Sequence, residues 1–136
     1  MTETTGTRLV RRFYDDVLNR GQDALIGELF ASDYTVHSGF SNEGARGPDG
    51  VRTTLAQLRS AFADLHLDVE EVIGDGDRVA ARLTMRGRHV GDFFGRSPRG
   101  NPIEQRGMVF YRVEDGRLAE QWLLFDTFTL FQQMAA

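Results

Sequence analysis

Apolar residues recur at helical spacing through roughly the first half of the chain and at alternate positions through most of the second. In TRLVRRFYDDVLNRG (7–21), Leu9, Val10, Phe13, Val17 and Leu18 share one side of a helix, and Gly21 is a natural stop. DALIGELF (23–30) predicts a second short helix and DYTVHS (33–38) a brief strand. After the Gly-rich connection GFSNEGARGPDG (39–50), a third helix over 49–65 places Val51, Leu55, Leu58 and Phe62 on one face. LHLDVEEVI (65–73) and RVAARLTMRGRH (78–89) then flank the turn signal GDGD (74–77). IEQRGMVFYRV (103–113) and RLAEQWLLFD (117–126) form a second hairpin about EDG, and TFTLFQQM (127–134) reads as a closing helix. Leu65, Leu67 and Val69 are expected to face inward with Leu83, Met85 and His89. That leaves His66, Asp68 and Glu70 against Arg82, Thr84 and Arg86 as a solvated face.

Helices followed by strands define an α+β arrangement. Three N-terminal helices pack in the concave face of a curved, mainly antiparallel sheet, giving a cone-shaped α+β barrel as one domain over residues 1–136. A cup of this kind leaves room for a ligand between helices and sheet. The ten Phe in 136 residues point the same way, toward a bulky interior suited to a small hydrophobic molecule.

Charge narrows the partners. The net charge is −4, and all 16 positive side chains are Arg. An acidic chain with scattered Arg has no electrostatic footprint for nucleic acid. No segment has the length and apolarity of a membrane span or the core of a signal peptide, and cysteine is absent, so a cytoplasmic protein is expected. The Gly-rich connection lacks phosphate-binding spacing, GDGD lacks the later ligands of a calcium loop, and the histidines lack metal-site spacing. Neither a cofactor nor a metal is expected.

Strand parity selects the candidates for chemistry. With a three-residue EDG turn, Gly107 lies opposite Leu123 and Gln105 opposite Phe125. Gln105, Gly107, Val109, Tyr111, Gln121, Leu123 and Phe125 then face the pocket, while Trp122 and Asp126 face away. A two-residue turn would instead pair Asp126 with Gln105, and the sequence leaves both open. Gln105, Val109, Tyr111, Leu123 and Phe125 are therefore the candidate substrate contacts, with Phe93 and Phe94 as a lip carried by VGDFFGRSPRGNP (90–102). Candidate proton-transfer groups are His89 and His37, each in or ending a strand, and Asp126. Asp126 also stands where an Asp would cap the closing helix. Tyr14, on the first helix, is a candidate donor to an enolate oxygen.

RGRHVGDFFGRSPRG (86–100) and VEDGRLAEQWLLFDTFTLFQQM (113–134) resemble the SnoaL-like polyketide cyclases of the nuclear transport factor two-like superfamily. The resemblance covers essentially the whole chain and implies a homodimer formed through the outer face of the sheet. It further implies cofactor-independent aldol cyclisation or isomerisation of a polycyclic, polyketide-like substrate, with non-catalytic binding or hydrolysis and dehydration as alternatives on the same cup. The aspartate of the aldol cyclases corresponds to Leu123, and their pocket Gln and His correspond to Gly107 and Val109. Tyr14 matches the oxyanion tyrosine of the ketosteroid isomerases, whose base falls on Ser38 and whose second acid falls near Val109.

Overall fold

The computed structural model describes residues 3–37 and 46–136. Helix α1 (Thr5–Arg11) opens on a reciprocal cap, in which the Thr4 hydroxyl accepts from the Thr7 N–H and the Thr7 hydroxyl from the Thr4 N–H. It runs directly into π-helical turns over Arg12–Leu18. A 3₁₀ turn (Asp23–Leu25) and helix α2 (Ile26–Leu29) lead to strand β1 (Phe30–His37). Helix α3 (Gly47–Ala61) precedes four long strands: β2 (Phe62–Asp75), β3 (Arg78–His89), β4 (Pro102–Glu114) and β5 (Arg117–Phe125). Helix α4 (Thr127–Ala135) closes the chain.

The sheet order is β1-β5-β4-β3-β2, with β1 parallel to β5 and every other pairing antiparallel. The α+β expectation holds, but the sheet is curved and open, with β1 and β2 at its edges, rather than a closed barrel. Helices and concave face share one core, in which Val10, Val17, Ile26, Leu29, Leu83 and Leu118 are fully buried.

Local departures from the sequence reading have identifiable causes. The third helix ends at Ala61, and the buried Phe62 already has extended geometry (φ −129°, ψ 123°), so β2 starts three residues early. Asp64 takes a positive φ of 55° where the β2–β3 register slips, and a second slip follows Val69, which turns Val72 inward. Thr84, expected on the solvated face, is buried. The predicted first strand extends back to Phe30, and its expected end at Ser38 lies outside the described residues.

Side chains acting as strand substitutes fix the helices to the sheet. The Asn19 amide bonds both the N–H and the carbonyl of Leu67, each at 2.8 Å, on the edge strand β2. Arg59 of α3 forks onto the Asp23 carboxylate (2.7 and 3.0 Å) and donates to the Val17 carbonyl (3.0 Å). The π-helical segment is thus held at its end from both sides. At the far side, β5 stops at Phe125 while β4 begins at Pro102, so the start of β4 lacks a strand neighbour there. The Asp126 N–H bonds the Arg106 carbonyl (2.8 Å), and the Gln133 amide meets both backbone groups of Glu104 (2.7 and 3.1 Å). Helix α4 therefore satisfies the edge that β5 leaves open.

Candidate functional site

The β4–β5 hairpin decides what enters the cup. Its turn is Asp115–Gly116, both at positive φ (51° and 76°), and a slip between Arg112 and Val113 follows. The two-residue turn, one of the two alternatives, is the one that forms, but past the slip neither the Gly107–Leu123 nor the Asp126–Gln105 pairing results. Gly107 pairs with Phe125, Val109 with Leu123 and Tyr111 with Gln121. A shift of two residues from the three-residue register keeps parity, so the inward set is the one expected with it. The Phe125 ring lies across Gly107, where a Cβ would sit 2.5 Å from it. Any side chain at 107 would displace that ring.

At one end of this face four polar side chains converge. Tyr14 is carried by the π-helical turns, whose wide pitch shows in the Asn19 N–H bonding the Tyr14 carbonyl at 3.0 Å. Its phenol meets the Tyr111 phenol at 2.5 Å. Gln121 donates to the Tyr111 oxygen at 2.8 Å and accepts from the Tyr34 hydroxyl at 2.8 Å. All four side chains are buried. Burial pushes the pKa values of Tyr14, Tyr34 and Tyr111 upward, so the phenols stay neutral donors. Tyr34 spends its proton on Gln121, and one proton serves the Tyr14–Tyr111 contact. The second phenol proton of that pair is not used inside the cluster.

Beside the cluster the inward face is apolar, formed by buried Leu83 and Val109 with half-buried Leu123 and Phe125 packed against the core. Gln105 lies further along, buried and opposite Met85. His89 is also buried on the inward side of β3, but it is ten residues from Val79, the partner of Tyr111. At the usual strand rise that is about 33 Å of strand. His89 and the phenols do not meet at one atom.

The other candidates lie elsewhere. His37 is on the outer face, paired with Trp122 across β1–β5 and stacked on it (5.3 Å, 20°). Its Nε2 is 2.7 Å from Glu120, whose other oxygen accepts from Arg112 at 3.0 Å. Arg112 and His37 together hold the Glu120 carboxyl below its usual range. Asp126 caps α4, accepting from the Thr129 N–H at 3.0 Å, and the hydrogen bonds from Thr129 hold its pKa down. An exposed, stabilised carboxylate is the opposite of a raised-pKa base. Phe93 is half-buried, and Phe94 is 55% exposed at the tip of a tight turn. A cavity of about 720 Å³ lies over the outer face, against Ile73, Met108, Phe110, Trp122 and Leu124. Among the described residues, no three His, Asp or Glu side chains converge as a metal site requires, and no helix is long and apolar enough to cross a membrane.

Sequence reasoning did not select Tyr34, and it placed Gln121 in the pocket without a role. Only the parallel β1–β5 pairing brings those two together, and no local pattern encodes it.

Helices packed on an open, curved five-stranded sheet define a fold of the nuclear transport factor two-like type. The chain belongs to the SnoaL-like polyketide cyclase family, whose profile matches residues 8–134. It is 28% identical over 125 residues to the aklanonic acid methyl ester cyclase DnrD of Streptomyces peucetius, covering 86% of this chain and 81% of that protein. It is 27% identical over 114 residues to DauD of Streptomyces sp. strain C5, an enzyme of the same description, covering 82% and 70%. Among solved structures, TsrD from Streptomyces laurentii superposes with a TM-score of 0.85 at 25% identity, covering 100% of this chain and 98% of that one. IdmH from Streptomyces antibioticus gives 0.83 at 27% identity, covering 98% and 100%.

Proposed function

We propose that this protein activates a carbonyl group of an apolar, polyketide-like ligand for cofactor-independent proton transfer, as in an intramolecular aldol closure or an isomerisation. The unspent phenol proton of the Tyr14–Tyr111 pair carries the reading. A donor fixed in a water-poor site stabilises charge on an enolate oxygen without reorganising. Tyr14 and Tyr111 are the donors, Gln121 and Tyr34 fix their orientation, and Val109, Leu123 and Phe125 form the walls. The named activity of DnrD and DauD supports the ligand class.

Leu123 stands where the resemblance places the cyclase aspartate, and no buried Asp or Glu occurs among the described residues. The leaving carbon proton therefore passes to solvent or to the ligand itself, and catalysis rests on carbonyl polarisation. The same observation favours a second reading, a non-catalytic binder of an oxygen-bearing hydrophobic molecule. Deuterium exchange beside the ketone of aklanonic acid methyl ester separates them. Exchange lowered roughly 10²-fold or more in Tyr14→Phe or Tyr111→Phe supports the enzyme. Tight binding with no exchange above buffer supports the binder.

The outer face, we further propose, seats a second copy of the chain. Five of the eight exposed large hydrophobics among the described residues, Ile73, Met108, Phe110, Trp122 and Leu124, gather there, and such a contiguous patch on a sheet marks an interface.

A further inference from the structure

His89 has no part in the reading above, and its setting is unusual. The side chain is fully buried, and neither Nδ1 nor Nε2 has a hydrogen-bond partner among the described residues. A neutral imidazole carries one N–H and one bare nitrogen, and leaving either unmet in a core costs about 1–3 kcal/mol. An apolar ring of similar size would avoid that penalty, so packing alone does not account for the imidazole.

A second, independent feature stands over the same place. Phe62 pairs with His89 across β2–β3, with ring centres 5.7 Å apart, and Phe93 packs edge-on against Phe62 at 5.0 Å. Phe93 begins a tight turn closed by reciprocal backbone bonds with Arg96 (3.1 and 3.0 Å). That turn holds Phe94 at φ 48°, a left-handed conformation that a bulky side chain rarely adopts. The turn is fastened to α4 by the Arg96 guanidinium, 3.4 Å over the Phe131 ring. The Phe94 ring also packs edge-on against Phe93 (4.6 Å) and Phe131 (6.4 Å), and Arg99 donates to the Ala135 carbonyl at 2.7 Å, so a strained aromatic tip rests on α4 through contacts that can be released together, as a movable cover requires.

We propose that His89 is the polar anchor of a second ligand subsite, at the end of the concave face remote from the phenol cluster, and that the Phe93–Arg96 turn is its cover. The geometry fits an aromatic or alicyclic molecule bearing a hydroxyl: rings among Phe62 and Phe93, and the hydroxyl on an imidazole nitrogen. The inference stands apart from the enolate chemistry, since the register separates the two polar spots.

The test uses the full chain and two probes that differ by one group, 1-naphthol and naphthalene, titrated calorimetrically. The wild type is expected to bind 1-naphthol at least tenfold more tightly. His89→Phe should abolish that preference while leaving naphthalene affinity within about twofold, and Tyr111→Phe should leave the preference in place. Nitrogen NMR of the imidazole should move on adding 1-naphthol and stay put with naphthalene. Arg96→Ala should raise the association rate of 1-naphthol several-fold. If the hydroxyl preference survives His89→Phe and disappears in Tyr111→Phe, the anchor is the phenol cluster and the inference fails while the proposed function stands. It fails equally if the imidazole signal already reports a bound water and 1-naphthol does not alter it. Should His89→Phe not fold, His89→Gln restores a donor and an acceptor there and should keep the preference.

Discussion

The two faces of the β4–β5 hairpin come from the same short stretch of chain and solve opposite problems. Inward, Tyr111 and Gln121 are locked into a buried hydrogen-bond cluster between apolar walls. Outward, Met108, Phe110, Trp122 and Leu124 are exposed, with charged groups such as Arg112 and Glu120 at the margin. Each face carries what simple burial would assign to the other. Polar groups stay inside because partners satisfy them, and apolar groups stay outside where another surface can cover them. An inversion on both sides of one sheet is better evidence of function than either alone.

The inward cluster breaks most severely at Tyr111. Tyr111→Leu removes a fully buried ring and strands the partners Tyr14 and Gln121, so a loss of about 3–5 kcal/mol is expected in urea unfolding. Tyr111→Phe keeps the ring and loses the hydrogen bonds, which should cost about 1–3 kcal/mol. No loss in Tyr111→Phe would mean that the cluster has no hydrogen-bond energy of its own, and an equal loss in both variants that the ring adds nothing beyond it. The pH dependence has a definite sign. The folded phenols have raised pKa values, so their contribution is intact below the unfolded value of about 10 and falls as pH rises past it, where only the unfolded tyrosines ionise. Tyr14→Phe should flatten that alkaline decline.

Leu123→Asp probes the wall. A carboxylate opposite Val109, with no buried Arg among the described residues to meet it, should cost on the order of 3 kcal/mol at neutral pH. The penalty should shrink as pH falls from the raised folded pKa toward the unfolded value of about 4, and the charge part should be gone below it. Thermal unfolding at both pH values checks this, and an unperturbed carboxyl would mean that the wall is wet.

How much of this was legible in the sequence depends on how local each feature is. Alternation in IEQRGMVFYRV and RLAEQWLLFD left two inward sets open, one for each turn length; the set tied to a three-residue turn faces inward although the turn has two residues, because the one-residue slip between Arg112 and Val113 flips the parity back. The pairing itself was not legible, since a slip carries no residue signature there. His37 was expected near the site and lies on the outer face, since β1 joins the sheet through a parallel partner some 85 residues away. Asp126 was half legible: its identity allowed a cap or a base, and only the Thr129 contact chooses.

Leu124→Arg addresses the outer face. Leu124 is 75% exposed, so the isolated fold should change by no more than about 0.5 kcal/mol. Under the proposed self-association, the sedimentation coefficient should drop to the monomer value with inward-site binding retained. A wild type already monomeric at high concentration would remove the second copy from that face.

Asp126 lies where the two faces end, and it gives the smallest effect. Asn at a helix start accepts the same N–H bond, so Asp126→Asn should barely lower the melting temperature at neutral pH, and Asp126→Ala should lower it more. The folded carboxyl has a depressed pKa from its Thr129 bonds, so its contribution is present above the unfolded value of about 4 and is lost as pH falls through the folded one. Both variants should therefore lose the part of the acid-limb slope due to this carboxyl, while the Asn variant alone keeps the cap. Exchange activity per folded molecule should be unchanged in either. If Asp126→Asn instead abolishes exchange with the fold intact, the carboxylate at the end of β5 takes the proton after all, and the phenol cluster becomes its helper.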